Sequence, residues 1–153
     1  MQKISTCLCF DGQAEEAAKF YVSVFRDSQI KQTVLYGETG PGPKDSVMAV
    51  FFEFDGYEFL ALNAGPKFKF NHAVSLMVNC ETQKELDEMW AKLSAGGATE
   101  ECGWLRDKYG LSWQIVPAIL PQLLSDGAKS DKVMQAVVKM TKLDIAAMQK
   151  AAA

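Results

Sequence analysis

The sequence predicts an α+β fold made of two βαβββ modules followed by a helical C-terminal extension. Three observations predict it. Short alternating stretches rich in apolar and β-branched residues recur as strands. Two amphipathic helical stripes each follow such a strand. The order strand, helix, three strands then occurs twice, a degenerate internal repeat. A chain of 153 residues suits one domain with a sizeable core. Within it the modules are expected over residues 3–63 and 72–117, and the extension over 118–150.

The elements follow in order. "KISTCLCF" reads as a strand, broken by Asp11-Gly12. In "QAEEAAKFYVSVF" the apolar residues Ala14, Ala17, Ala18, Tyr21, Val24 and Phe25 form one helical stripe. Glu15 and Glu16 fall in its first turn, where the helix dipole favours acid. "QIKQTVLY" is a strand, and the Gly- and Pro-rich "GETGPGPKD" is a loop. "VMAVFFEF" and "YEFLALN" flank Asp55-Gly56, a strong hairpin signal. The pattern restarts with the strand "AVSLMVN". Thr82 and Glu85 then read as a capping box for a helix carrying Leu86, Met89, Trp90 and Leu93, stopped at Gly96-Gly97. "ATEEC", "WLRD" and "LSWQIVP" complete the second module as strands. "AILPQLLS" is a short apolar turn or helix, and "SDKVMQAVVKMTKLDIAAMQKAAA" is expected as one helix with Ser130 as N-cap. Its wide apolar face, with Val133, Met134, Val137, Met140, Ile145 and Met148, calls for cover by the core or by another chain.

Composition narrows the function classes. A net charge of −3 and a pI near 5.2, without a Lys/Arg block, argue against nucleic acid as partner. The apolar runs are too short to span a bilayer, and no secretory leader pattern is present, so a cytoplasmic location is expected. Cys7, Cys9, Cys80 and Cys102 are then expected as reduced thiols. They lack the Cys-x-x-Cys spacing of a zinc knuckle and read as small buried hydrophobes. Cys7 and Cys9, two apart on a strand, share a face.

Overlaying the repeats by helix anchors places Tyr21 over Trp90 and Val24 over Leu93, and the same offset puts Thr6 over Ser75. Overlaying the last hairpins by glycine puts Gly56 over Gly110, Phe59 over Trp113 and Leu60 over Gln114. Other candidate chemistry is thin. Glu53 and Glu58 on neighbouring hairpin strands are a carboxylate pair of the kind used in acid–base catalysis, and more ordinarily a solvated one. Cys102, beside Gly103 and Trp104, is the thiol of most interest, and His72 is the only histidine. A strand-edge surface position suits His72 better than a catalytic one. If Gln114 faces a pocket, parity sends Trp113 into the core.

"FDGQAEEAAKFYVSVF", "FFEFDGYEFLALNAGPKFKF", "CGWLRDKYGLSWQIVP" and "KLDIAAM" together resemble the vicinal oxygen chelate superfamily, which includes glyoxalase I and the bleomycin- and fosfomycin-resistance proteins. They are most similar to its PhnB-like branch, named for demethylubiquinone methyltransferase. The resemblance implies that paired sheets form a pocketed half-barrel. It implies two metal ligands per module, one on the first strand and one on the fourth. Carried over, the fourth-strand positions fall at Leu60 and Gln114 and the first-strand positions near Thr6 and Ser75. Such side chains make a poor metal site, so no metal and no cofactor is expected. No Gly-x-Gly-x-x-Gly nucleotide cradle is present either.

The expectation is therefore a metal-independent small-molecule-binding protein or enzyme of this superfamily. Its pocket would be lined by Thr6, Leu60, Ser75, Trp104 and Gln114, with Asn63 at the rim and Gln114 orienting a ligand oxygen. The alternatives are a methyltransferase or divalent-metal lyase, as relatives are named, and a toxin-sequestering protein of the resistance type. A homodimer is expected, because this architecture often pairs modules across chains.

Overall fold

The computed structural model describes residues 2–153, and the chain divides into two compact units, the second beginning at Phe70. The first holds β1 (Thr6–Phe10), α1 (Ala14–Val24), β2 (Gln29–Leu35), β3 (Val47–Phe54) and β4 (Tyr57–Asn63). Its sheet runs β1-β4-β3-β2, with β1 parallel to β4 and the other neighbours antiparallel. Phe54 pairs with Tyr57 around Asp55-Gly56, whose φ values of 50° and 78° are those of the primed hairpin turn that the dipeptide favours. α1 buries Ala14, Ala17, Ala18, Tyr21 and Val24, the stripe read from the sequence. It packs on a stack of aromatic rings: Phe25 on Phe54 and Phe54 on Phe59, each at 4.3 Å between centroids, with Phe52 beside Tyr21. Each such burial stabilises by roughly 1.5–3 kcal/mol.

The second unit repeats the plan with β5 (Ser75–Cys80), α2 (Gln83–Ser94), β6 (Ala98–Thr99), β7 (Trp104–Arg106) and β8 (Ser112–Pro117), in the order β5-β8-β7-β6. β5 is parallel to β8, as β1 is to β4. Thr82 caps α2 by accepting from the Glu85 N–H at 3.2 Å. The Glu85 carboxylate in turn accepts from Glu81 N–H, one residue earlier than in the usual reciprocal box. The strand expected over "ATEEC" is shorter: only Ala98 and Thr99 pair, because Glu100–Gly103 turn to start β7, with Trp104 N–H donating back to the Glu101 carbonyl. Gly97 lies so close to β7 that a Cβ there would collide with the Arg106 carbonyl oxygen. The core holds Leu86, Leu93, Leu105 and Ile115 with Trp113, which is 1% exposed, as parity required.

The extension belongs to the second unit. It holds α3 (Leu120–Leu124), α4 (Gly127–Val137) and α5 (Ile145–Ala152). The single helix expected from Ser130 is thus two, and Ser130 is not a cap. Asp126 caps α4 and Asp144 caps α5, each accepting a backbone N–H, from Ala128 and Ala147. The break has a physical cause: the Met140 and Thr141 carbonyls accept from Cys102 and Gly103 N–H at 2.9 and 2.8 Å, outside any helix. Leu143 is buried there, and the Gln83 carboxamide bonds both the Leu143 carbonyl and the Ile145 N–H. Val133, Val137 and Met148 face inward, while Met134 and Val138 stay exposed.

Candidate functional site

In the second sheet the face away from α2 is set by register. Trp113 and Ile115 pair with Leu76 and Val78 on the helix side, so Ser112 and Gln114 pair with Ser75 and Met77 on the other. Gln114 also faces Trp104 across the antiparallel pair. The Gln114 Nε2 donates to Ser75 Oγ at 2.9 Å, and both residues are half-buried. Next to them lies an ion cluster. Glu100 accepts from Arg106 Nε at 2.6 Å and contacts His72 Nε2 at 2.8 Å, and the His72 ring lies 6.0 Å from Trp104. Burial pushes the Glu100 carboxyl up, but the bonds to His72 and Arg106 prevail and hold it below the usual carboxylate range. Ser112 is fully buried, and among the described residues its hydroxyl has no hydrogen-bond partner. The sequence singles out Ser75, Trp104 and Gln114, and the structure brings them together. Sequence reasoning missed Ser112, Glu100 and Arg106. Ser112 could have been found from its parity with Gln114, whereas the ion cluster depends on strand pairing.

The first unit treats its expected residues differently. Thr6 pairs with Phe59, on the face under α1, whereas Cys7 pairs with Leu60 on the opposite face. Thr6 and Leu60 therefore do not line one surface. Asn63 is structural. Its Oδ1 accepts from the Ala14 N–H at 3.0 Å and its Nδ2 donates to the Val47 carbonyl at 2.9 Å. Gln13, at the N-cap of α1, offers no side-chain bond, so Asn63 caps the helix from 49 residues away. Glu53 and Glu58 are not a free carboxylate pair. Lys31 lies 2.7 Å from Glu53 and 3.9 Å from Glu58, and its hydrogen bond holds Glu53 low.

The thiols divide. Only Cys80 is the buried hydrophobe expected of all four, and burial, with Glu85 adding, pushes it up to about 12. Cys7 is exposed, and Cys9 and Cys102 are half-buried. Trp113 Nε1 donates to the buried Asp107 carboxylate, whose other oxygen accepts from the Tyr109 and Leu111 N–H groups. That carboxylate builds the turn into β8 and carries Gln114 into place. A shallow depression among α3, α4 and α5, lined in part by Ile119, Leu123, Lys129 and Gln149, includes none of the expected site residues.

Residues 2–116 match the family described as 3-demethylubiquinone-9 3-methyltransferase. Among solved structures, one provisionally described as a 3-demethylubiquinone-9 3-methyltransferase, PhnB protein, from Bacillus cereus is 41% identical, with a TM-score of 0.70. The match covers 76% of this chain and all of that one. The chain belongs to this 3-demethylubiquinone-9 3-methyltransferase, or PhnB-like, family. A Pseudomonas aeruginosa protein of 20% identity shares the fold at a TM-score of 0.62, over 76% of this chain and 96% of that one. The fosfomycin resistance protein FosX of Listeria monocytogenes, 11% identical, shares it at 0.52, over 74% and 91%. A search among curated proteins gives no match.

The residues of this PhnB-like chain do not fit the groups its relatives imply. The row that crosses Leu60 in the first sheet supplies Cys7, and the row that crosses Gln114 in the second supplies Met77. A thiol, a hydrocarbon, a carboxamide and a thioether do not suit a hard divalent ion, which takes carboxylate and carbonyl oxygen. Among the described residues, no group of three or more His, Cys, Asp or Glu side chains is placed to hold a metal. Nor do the strand-to-helix turns fit a nucleotide cradle. Asp11-Gly12-Gln13 has one glycine and Glu81-Thr82 has none.

Proposed function

We propose that this PhnB-like protein binds a small organic molecule on the polar face of its second sheet, without a metal. The observation that carries the reading is the Gln114–Ser75 hydrogen bond beside Trp104, on a face whose charges are already matched through Glu100. A carboxamide and two hydroxyls suit a neutral, oxygen-bearing ligand, and the indole offers a wall for a flat or apolar part. The family's name favours methyl transfer, and that is the second reading. Sequestration of a toxic compound, without chemistry, is the third. We also propose a homodimer, supported by the exposed Met134 on α4 and Val138 at its C-cap. The acidic balance supports a protein without nucleic-acid partners, for which a cytoplasmic location is proposed, and among the described residues no helix is long and apolar enough to cross a membrane.

Native mass spectrometry of protein purified from cells is the test. A small molecule should accompany the wild type and be lost, or weakened by about tenfold, from a folded Gln114→Leu variant. Equal retention by the variant removes Gln114 from the site. Calorimetric binding of S-adenosylmethionine at one per chain would instead favour methyl transfer.

A further inference from the structure

Cys7 and Cys9 lie two residues apart on β1, and both face away from α1, since Leu8 and Phe10 between and beyond them are buried. On a strand that spacing sets the Cα atoms about 6.6 Å apart, at the upper end of what an unstrained disulfide spans. Both thiols are free. A single ion with two sulfur bonds of about 2.3 Å reaches roughly 4.6 Å between sulfurs, a better match to the strand than a direct S–S bond. We propose that Cys7 and Cys9 form a two-coordinate dithiolate site for a soft monovalent cation of the copper(I) or silver(I) kind.

The surroundings select that class. The register partners of the two cysteines are Leu60 and Leu62, and Phe51 pairs with Leu60 on the same face. Harder and borderline ions take three or more oxygen, nitrogen or sulfur donors, and among the described residues no three His, Cys, Asp or Glu side chains come together to supply them. Thiolates in hydrocarbon surroundings favour soft, low-coordinate ions. Binding replaces two S–H protons with one cation, both protons going to solvent, so no oxidant or reductant is needed. The site belongs to the sheet of the first unit, and its argument does not depend on the function proposed for Gln114.

The test is an anaerobic titration of the full chain with copper(I) against bicinchoninate, with silver(I) followed by native mass spectrometry. One ion per chain is expected. Cys7→Ser and Cys9→Ser should each weaken binding at least ~100-fold, because one strong donor is left, while Cys102→Ser should not. Peptide mapping of the wild type gives a reading that needs no variant. The bound ion should shield Cys7 and Cys9, but not Cys102, from iodoacetamide. Absence of tight binding, undiminished binding in both serine variants of the pair, or protection of Cys102 alone overturns the proposal.

Discussion

Asp107 shows how one side chain fixes the geometry of the candidate site. Its carboxylate is 2% exposed and accepts from two backbone N–H groups and the Trp113 indole. Asp107→Ala strands those three donors, so urea denaturation should show a loss of about 2–4 kcal/mol. Glu100 acts through charge instead. Its folded carboxyl sits lower than in the unfolded chain, so its stabilisation is present above the ordinary glutamate pKa and is lost as pH falls through the folded value. Thermal unfolding should therefore show Glu100→Gln less stable than wild type near neutrality, and the difference should shrink below about pH 4. The family resemblance, carried over the repeat, marked Gln114 and Ser75, and Trp104 stood out only as an aromatic able to wall a pocket. The sequence could not mark the Glu100 cluster or the helix cap supplied by Asn63, since those partners meet only through strand pairing.

At the scale of elements, the repeat was legible and its register was not. The helix anchors are offset by one value and the strands by another, because the turn from β1 to α1 has one residue more than the turn from β5 to α2. One residue on a strand reverses the face, which is why Thr6 fell on the helix side and Cys7 took the place beside Leu60. The tail shows the same limit. Its apolar periodicity runs through residues 130–150, but Asp144 offers a cap and two carbonyls before it bond to the Cys102–Gly103 turn. Asp144→Ala should cost about 1 kcal/mol in chemical denaturation, with hydrogen exchange rising first across α5. If the tail were one continuous helix, that substitution would have little effect.

For the molecule as a whole, duplication is the governing fact. Both sheets have the same strand order with a parallel outer pair, and the helical extension packs with the second. The proposed homodimer belongs to this scale: light scattering after size exclusion should give about twice the 16.9 kDa chain mass. A mass equal to one chain would remove the dimer. The sequence alone determined the α+β class, the order of elements within the two modules, the hairpin at Asp55-Gly56 and the aromatic and aliphatic core, because periodicity and turn chemistry are local. The tertiary structure alone decided which side chains share a face, because that depends on register between strands tens of residues apart.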